Sequence, residues 1–258
     1  MLDFTNQVAF ITGAGSGIGR ATALAFAKAG ARIVVAEVNE TSGQETATLI
    51  RESGREALSV TCDVANPSQI DTAIQQTVEA YGRLDIAINN AGIGGRFARL
   101  LDQTPDDFNE IMAVNVGGVF HGMQAQIRQM LKQPENGHSD RGKIVNVSSV
   151  AGVRGMPMGA PYSASKHAVI GLTKTAALEY AQRNIRINAV CPVYTHSAMV
   201  DHLLTMAPNM EERMRRVIPV GRLGHPDDIA QAILWLCSDE NVFCTGQAIQ
   251  MDGGMTAG

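Results

Sequence analysis

The chain has 258 residues, a formal net charge of −4, and 45% hydrophobic against 18% charged residues. That size and balance fit one large α/β unit with a sizeable core, and the mild acidity without a Lys/Arg run excludes a basic nucleic-acid footprint. Met1 to Gln7 contain neither a basic nor a long apolar segment, so no secretory signal is expected. No run reaches the roughly 18 apolar residues of a membrane span, which leaves the cytoplasm as the expected compartment. Cys62, Cys191, Cys237 and Cys244 form no CxxC pair and the six histidines are scattered, which points to buried thiols rather than a zinc site or a disulfide frame.

Along the chain, short apolar runs alternate with segments of helical period. Strands are expected at Gln7–Thr12, Ala31–Ala36, Ala57–Cys62, Leu84–Ile88, Lys143–Val147, Arg186–Cys191 and Ala248–Met251. Their near-continuous apolarity is that of parallel strands covered on both faces. Asn66-Pro67-Ser68-Gln69 opens a helix with a capping residue, a proline suited to the first turn and a glutamine able to reach back. Thr104-Pro105-Asp106-Asp107 and His225-Pro226-Asp227-Asp228 repeat the device. The polar stretch Gln133–Gly142 reads as a solvated loop. Seven strands with intervening helices predict one doubly wound parallel sheet spanning residues 1–258, its site along the carboxyl edge.

The first strand runs into Thr12-Gly13-Ala14-Gly15-Ser16-Gly17-Ile18-Gly19 and then an apolar helix. Glycines allow a tight turn and close approach of the backbone to a pyrophosphate, which the helix N-terminus then receives. The strand before and the helix after make this cluster specific for a dinucleotide. Glu37 ends the second strand, 18 positions after Gly19, close to the spacing of an acid that binds an adenosine ribose. A carboxylate there repels a 2′-phosphate, and Ser16 and Val38 bring no positive charge. NAD is therefore expected over NADP.

Taken together, Thr12–Gly19, Cys62-Asp63-Val64, Asn89-Asn90-Ala91-Gly92, Asn115, Ser149, Tyr162-Ser163-Ala164-Ser165-Lys166, Asn188–Pro192 and Asp252-Gly253-Gly254 resemble the short-chain dehydrogenase/reductase family over essentially the whole length. The resemblance implies a Rossmann-type fold, a homotetramer, and cofactor contacts from Gly13, Ser16, Gly17, Ile18, Gly19, Glu37, Asp63 and Val64. It implies further contacts from Asn90, Ala91, Gly92, Pro192, Val193, Thr195 and Ser197, although the first three could equally be a turn bracing the sheet. The family usually has glycine where Val193 stands and threonine where Ser197 stands, so the backbone beside the nicotinamide is where this chain departs from the pattern.

The expected catalytic group is Tyr162, Lys166, Ser149 and Asn115. Tyr162 and Lys166 are four residues apart and share a helix face. A tyrosine near pKa 10 is a poor base at neutral pH, and a neighbouring ammonium, joined by the positive nicotinamide ring, is expected to lower that value. Ser149, 13 positions before Tyr162, is expected to hold the substrate oxygen, with adjacent Ser148 turned to the core or backbone. Asn115 is expected as a helix-distorting core amide, and the resemblance implies that it also holds a water shared with Lys166. Tyr162 then takes the hydroxyl proton of an alcohol, or returns it to a ketone.

Gly94–Phe97, Val150–Met158, Tyr194 and a lid at about 194–217 with Met199, Met206, Met210 and Met214 imply a largely apolar substrate pocket. His196 and His202 are candidate polar contacts. The expected substrate is an apolar or cyclic secondary alcohol or ketone. A 3-oxoacyl-carrier-protein reductase is the alternative, opposed by Glu37, and a non-catalytic NAD-sensing regulator is opposed by the intact tetrad.

Overall fold

The computed structural model describes residues 2–134, 140–205 and 209–257, without the side chains at 198, 199, 202 and 203. The expectations for Met206, for the side chains of Met199 and His202, and for the middle of the 133–142 loop fall outside the described residues.

Seven parallel strands form one sheet: β1 (Val8–Thr12), β2 (Arg32–Glu37), β3 (Ala57–Thr61), β4 (Ile86–Asn89), β5 (Gly142–Val147), β6 (Ile185–Pro192) and β7 (Ala248–Met251). The order is β3-β2-β1-β4-β5-β6-β7, as the doubly wound reading expected. Successive strands are added outward on opposite sides of β1 and β4, and at such a switch point a crevice opens beyond the carboxyl ends. The helices are α1 (Gly17–Lys28), α2 (Glu40–Glu52), α3 (Pro67–Tyr81), α4 (Pro105–Ile111), α5 (Gly118–Lys132), α6 (Ala160–Tyr180), α7 (Ala198–Thr205), α8 (Met210–Arg216) and α9 (Pro226–Cys237). Among the described residues, no helix is long and apolar enough to cross a membrane.

Alternate residues of each strand feed two cores, because successive side chains point to opposite faces. Val8 and Phe10 pack with Ile74 of α3, Met123 of α5 and Val169 of α6. Ala9 and Ile11 pack with Phe26 of α1, Ile50 of α2 and Ile233 of α9. Both faces are dry, which is why the strands read as unbroken apolar runs.

The helix starts follow local chemistry. Thr104 and Asp107 form a reciprocal capping box at α4, and His225 and Asp228 form one at α9. At α3 the Asn66 side chain accepts from Ser68 N, but Gln69 reaches past the cap and accepts from Asp63 N at 2.8 Å. The helix start thereby fixes the backbone just after β3. The ends of the 133–142 loop are buried rather than solvated. Gln133 bonds both backbone groups of Leu84, and Asp140 pairs with Arg186 at 2.8 Å, each of these side chains nearly shielded from water.

A buried amide network joins both central strands to two helices. Asn89 Nδ2 donates to Asn146 Oδ1 at 2.8 Å and to Gln126 Oε1 at 3.1 Å, while Gln126 Nε2 donates back to Asn89 Oδ1 at 2.7 Å. Asn146 Nδ2 donates onward to Thr173 of α6 at 2.9 Å. Each side chain here is removed from water, so deleting Asn89 strands the groups of Asn146 and Gln126 that it satisfies. Asn89→Ala is expected to destabilise the chain by about 2–4 kcal/mol, from two buried partners left unpaired at roughly 1–3 kcal/mol each. Urea unfolding followed by circular dichroism measures this; a loss below about 1 kcal/mol would show the network to be marginal.

Candidate active site

A cleft of about 470 Å³ lies across the carboxyl edge of the sheet. Of the positions expected from sequence to bind cofactor or act in catalysis, all but Gly19 and Asn115 line it. The site is therefore one continuous surface, assembled from loops that follow β1 to β6.

At its floor, Gly13 takes a left-handed φ of +62°. Gly19 lies beneath that turn, where a Cβ would collide with Gly13 O and crowd Asn90 Nδ2. Gly19 therefore shapes the cradle from behind rather than lining it. Ser16 makes no side-chain cap at the start of α1, so the first-turn N–H groups at Gly17 and Ile18, which line the cleft, are available to an anion. These donors fit a pyrophosphate.

Glu37 sits at the β2 end of the cleft. Its Oε2 accepts from Gly15 N at 2.9 Å and its Oε1 from Val38 N at 3.0 Å. The carboxylate is thus fixed beside the glycine turn, where hydroxyls of a ribose would meet it. Arg20 does not offset this charge: its guanidinium is committed to Glu45, Thr46 and Ser42 O of α2. Asp63 holds its own turn by accepting from Ala65 N at 2.9 Å, and Val64 packs against the Gly118 backbone.

The Asn90 side chain braces the sheet. Its Nδ2 donates to Thr12 O at 2.9 Å and Gly13 O at 3.0 Å, while Thr12 Oγ1 accepts from Asn90 N and Ala91 N. This locks the ends of β1 and β4 together at the point where strand order reverses. Ala91 and Gly92 then line the cleft.

The four expected catalytic residues converge after β5. The Ser149 hydroxyl and the Tyr162 phenol line the cleft together, and Ser149 accepts from Ala151 N at 3.1 Å. Ser148 turns away and donates to Lys166 O at 2.9 Å, as the spacing predicted. Lys166 is buried, its Nζ donating to Val147 O at 2.9 Å and lying 5.6 Å from the centre of the Tyr162 ring.

Desolvation pulls Lys166 down from 10.5 to about 8, and Cys191 opposes that shift. Burial also raises the Tyr162 phenol, which Ser149 partly lowers. The expectation that Lys166 depresses the phenol is not met in the chain alone. Its ammonium is spent on a main-chain carbonyl, and burial outweighs the one group that favours phenolate.

Asn115 lies in a π-helical segment, Met112–Gly117, between α4 and α5. Its Oδ1 accepts from Ile93 N at 2.8 Å, and its Nδ2 donates to Ile93 O at 3.0 Å and Ser165 Oγ at 3.1 Å. It is the helix-distorting core amide expected from sequence. Ser165, itself donating to Tyr162 O at 2.7 Å, was not anticipated and links that amide to the tyrosine's own turn.

After β6, Val193 is not among the residues with positive φ, so its backbone needs no glycine. The side chain enters a small cluster with Val200, Met214, Ile218 and Leu223. Thr195 Oγ1 donates to Val193 O at 2.9 Å, and Ser197 Oγ accepts from Val200 N at 3.3 Å near the start of α7. Met214 packs in the lid rather than lining the cleft, and His196 is exposed, 3.9 Å from Asp201. Met255, by contrast, reaches the cleft from the end of the chain. No local pattern marks a lone methionine after a glycine pair as a pocket wall. Among the described residues there is no cluster able to hold a metal ion.

A family model described as enoyl-(acyl carrier protein) reductase matches residues 13–256. An uncharacterised oxidoreductase of Thermotoga maritima is 42% identical over 259 residues, covering 99% of this chain and 100% of the relative. The 2,5-dichloro-2,5-cyclohexadiene-1,4-diol dehydrogenase of Sphingobium indicum is 37% identical over 257 residues, with both chains covered completely. The structure of NAD+-bound xylitol dehydrogenase superposes with a TM-score of 0.90 at 35% identity, covering 97% of this chain and 99% of that one. With this fold, a nicotinamide-cofactor relative and matches over nearly its full length, the chain belongs to the short-chain dehydrogenase/reductase family of oxidoreductases.

Proposed function

We propose that the chain is an NAD-dependent dehydrogenase and ketone reductase acting on an apolar or cyclic secondary alcohol, with Tyr162 as its acid–base residue. The observation that carries this reading is the convergence of Ser149, Tyr162 and buried Lys166 in the cleft that also holds the glycine cradle and Glu37. The cyclohexadiene-diol substrate named for the Sphingobium relative supports the cyclic class. NAD, when bound, accepts or returns the hydride of the alcohol carbon.

The chain's own residues do the rest. Ser149 holds the substrate oxygen opposite the phenol, and Tyr162 removes the hydroxyl proton in oxidation or donates it in reduction. Lys166 contacts the nicotinamide ribose and places positive charge behind the phenolate once it forms. Asn115 positions the turn that carries Tyr162, through Ser165, and holds the water it shares with Lys166. Gly13, Ser16, Gly17 and Ile18 receive the pyrophosphate. Asp63, Val64, Ala91 and Gly92 flank the adenosine half, and Pro192, Val193, Thr195 and Ser197 flank the nicotinamide.

Both tasks share one domain, with residues 194–217 as its lid. The four cysteines, free in the structure, suit a reducing cytoplasm. Exposed apolar side chains at Leu101, Phe108 and Phe120, and at Trp235 and Phe243, support assembly into a homotetramer.

Tyr162→Phe is expected to lower turnover of cyclohexanol with NAD+ by at least about 10³-fold, within the range of acid–base catalysis, while NADH binding measured by fluorescence titration persists. Turnover within tenfold of the native chain would remove Tyr162 from the mechanism. For cofactor choice, kcat/KM with NADH should exceed that with NADPH by about 100-fold, and Glu37→Gln should shrink the ratio, because a carboxylate opposing a 2′-phosphate is lost. An unchanged ratio would place the selection elsewhere. The pH profile has a definite sign. Oxidation needs phenolate, and the raised phenol puts the rise in kcat/KM on the alkaline side. Ser149→Ala removes the hydroxyl that lowers the phenol, so the remaining activity should rise at still higher pH; a shift toward acid would reverse the assignment.

A further inference from the structure

The substrate half of the cleft is walled by apolar groups, among them Phe97, Val150, Met156, Tyr194 and Val200. One charged residue joins them there, Arg154, in addition to buried Lys166 beneath Tyr162. Arg154 is exposed at the mouth, and among the described residues its guanidinium has neither an acidic partner nor a side-chain hydrogen bond.

Its backbone is held firmly. Arg154 N donates to Val150 O at 3.1 Å, in the turn that Ser149 opens. Ser163, next to Tyr162, donates both to Ala151 O at 2.8 Å and to Arg154 O at 3.3 Å. One hydroxyl therefore ties the arginine's position to both Ser149 and Tyr162. A side chain rooted at a fixed backbone position near the reacting oxygen can reach a group at the far end of a substrate.

No carboxylate lining the cleft competes for that charge nearby. The acidic lining residues are Glu37 and Asp63, which follow β2 and β3. Ser149 follows β5, three strands from β2 in the sheet order. At about 4.8 Å per strand the separation is about 14 Å, beyond the roughly 8 Å screening length of physiological salt. The charge lining the substrate end is thus positive, from buried Lys166 beneath Tyr162 and from Arg154 at the mouth, in surroundings otherwise apolar.

We propose that Arg154 is a specificity-determining residue that binds an oxyanion, such as a carboxylate, carried by the substrate at the end remote from its alcohol or ketone carbon. The preferred substrate then has three parts: a carbinol at Ser149 and Tyr162, an apolar body along the wall, and an anionic group at the mouth. Guanidinium suits that task because its planar fork pairs with two oxygens at once. This rests on the proposed reductase function for the identity of the reacting carbon, but not for the charge preference.

The test compares 4-oxocyclohexanecarboxylate with its neutral methyl ester, both with NADH, on the full-length chain. The native chain should favour the carboxylate by about 10-fold or more in kcat/KM, the scale of one charge-assisted hydrogen-bonded pair. The preference should fall toward unity in Arg154→Gln, persist in part in Arg154→Lys, and weaken at raised ionic strength. Ligand-observed NMR of the same two compounds, on native and Arg154→Gln protein, reads the contrast without turnover. A binding contrast lost in Arg154→Gln but no reduction of either ketone would uphold the anion site and overturn the reductase reading. Reduction of both compounds with equal preference, or a preference that survives Arg154→Gln, would overturn the anion site and leave that reading standing. Neither turnover nor contrast would overturn both.

Discussion

The buried ammonium of Lys166 is the constraint around which the rest of the site is arranged. A cation removed from water must be met by dipoles or lose its proton. Here the partner is the carbonyl of Val147, the last residue of β5. Meeting it requires α6 to lie close over the end of β5, and Ser148 secures the same approach by donating to Lys166 O. Gly92 fits closely there, since a Cβ would crowd Asn115 Oδ1 at 3.1 Å and touch Lys166 Nζ at 3.4 Å. The end of β4, the π-helical segment, β5 and α6 therefore meet at one buried charge. Burial pulls it down to about 8, because a single carbonyl replaces water only in part.

Sheet order turns this local arrangement into a polarised cleft. Loops after β2 and β3 supply Glu37 and Asp63, whereas those after β5 and β6 supply no carboxylate to the lining. The glycine cradle lies between, where α1 presents its uncapped N-terminus. An elongated ligand would meet hydroxyl acceptors at one end, N–H donors in the middle and an apolar, cationic wall at the other. A dinucleotide has that sequence of chemistry in its ribose, pyrophosphate and nicotinamide, which explains why one edge of the sheet can orient it without a separate recognition domain.

What was legible in the sequence was whatever depends on local chemistry or on spacing within one element. The unbroken apolar strands located all seven members of the sheet, and β7 has the expected bounds, Ala248–Met251. Tyr162 and Lys166 share a helical face because the chain between them is helix. The choice of Ser149 over Ser148 rested on its spacing of 13 from Tyr162, as the family resemblance implies, and Ser148 does turn to the backbone of Lys166. What the sequence did not disclose arises between distant segments. Gln69 bypassing its cap for Asp63, Ser165 bonding Asn115, and Met255 reaching the cleft all pair residues whose neighbours carry no signal of the contact. The electrostatics belong to the same class. Adjacent Tyr and Lys on a helix favour a depressed phenol, yet burial, a property of the whole fold, reverses the shift.

Val193 shows how a departure from a family pattern is absorbed. Its backbone avoids the left-handed region, so the added Cβ introduces no strain there. Its side chain instead joins Val200, Met214, Ile218 and Leu223, which anchors the lid's own small core to the end of β6. The same segment touches the cradle, for a Cβ on Gly17 would lie 3.3 Å from that of Ser197. Its far end is fastened too, since Val220 N donates to Gly253 O. Contacts at Ser197 and Val220 thus flank the cluster that Val193 joins. The apolar side chain at 193 ties the end of β6 to that cluster by packing.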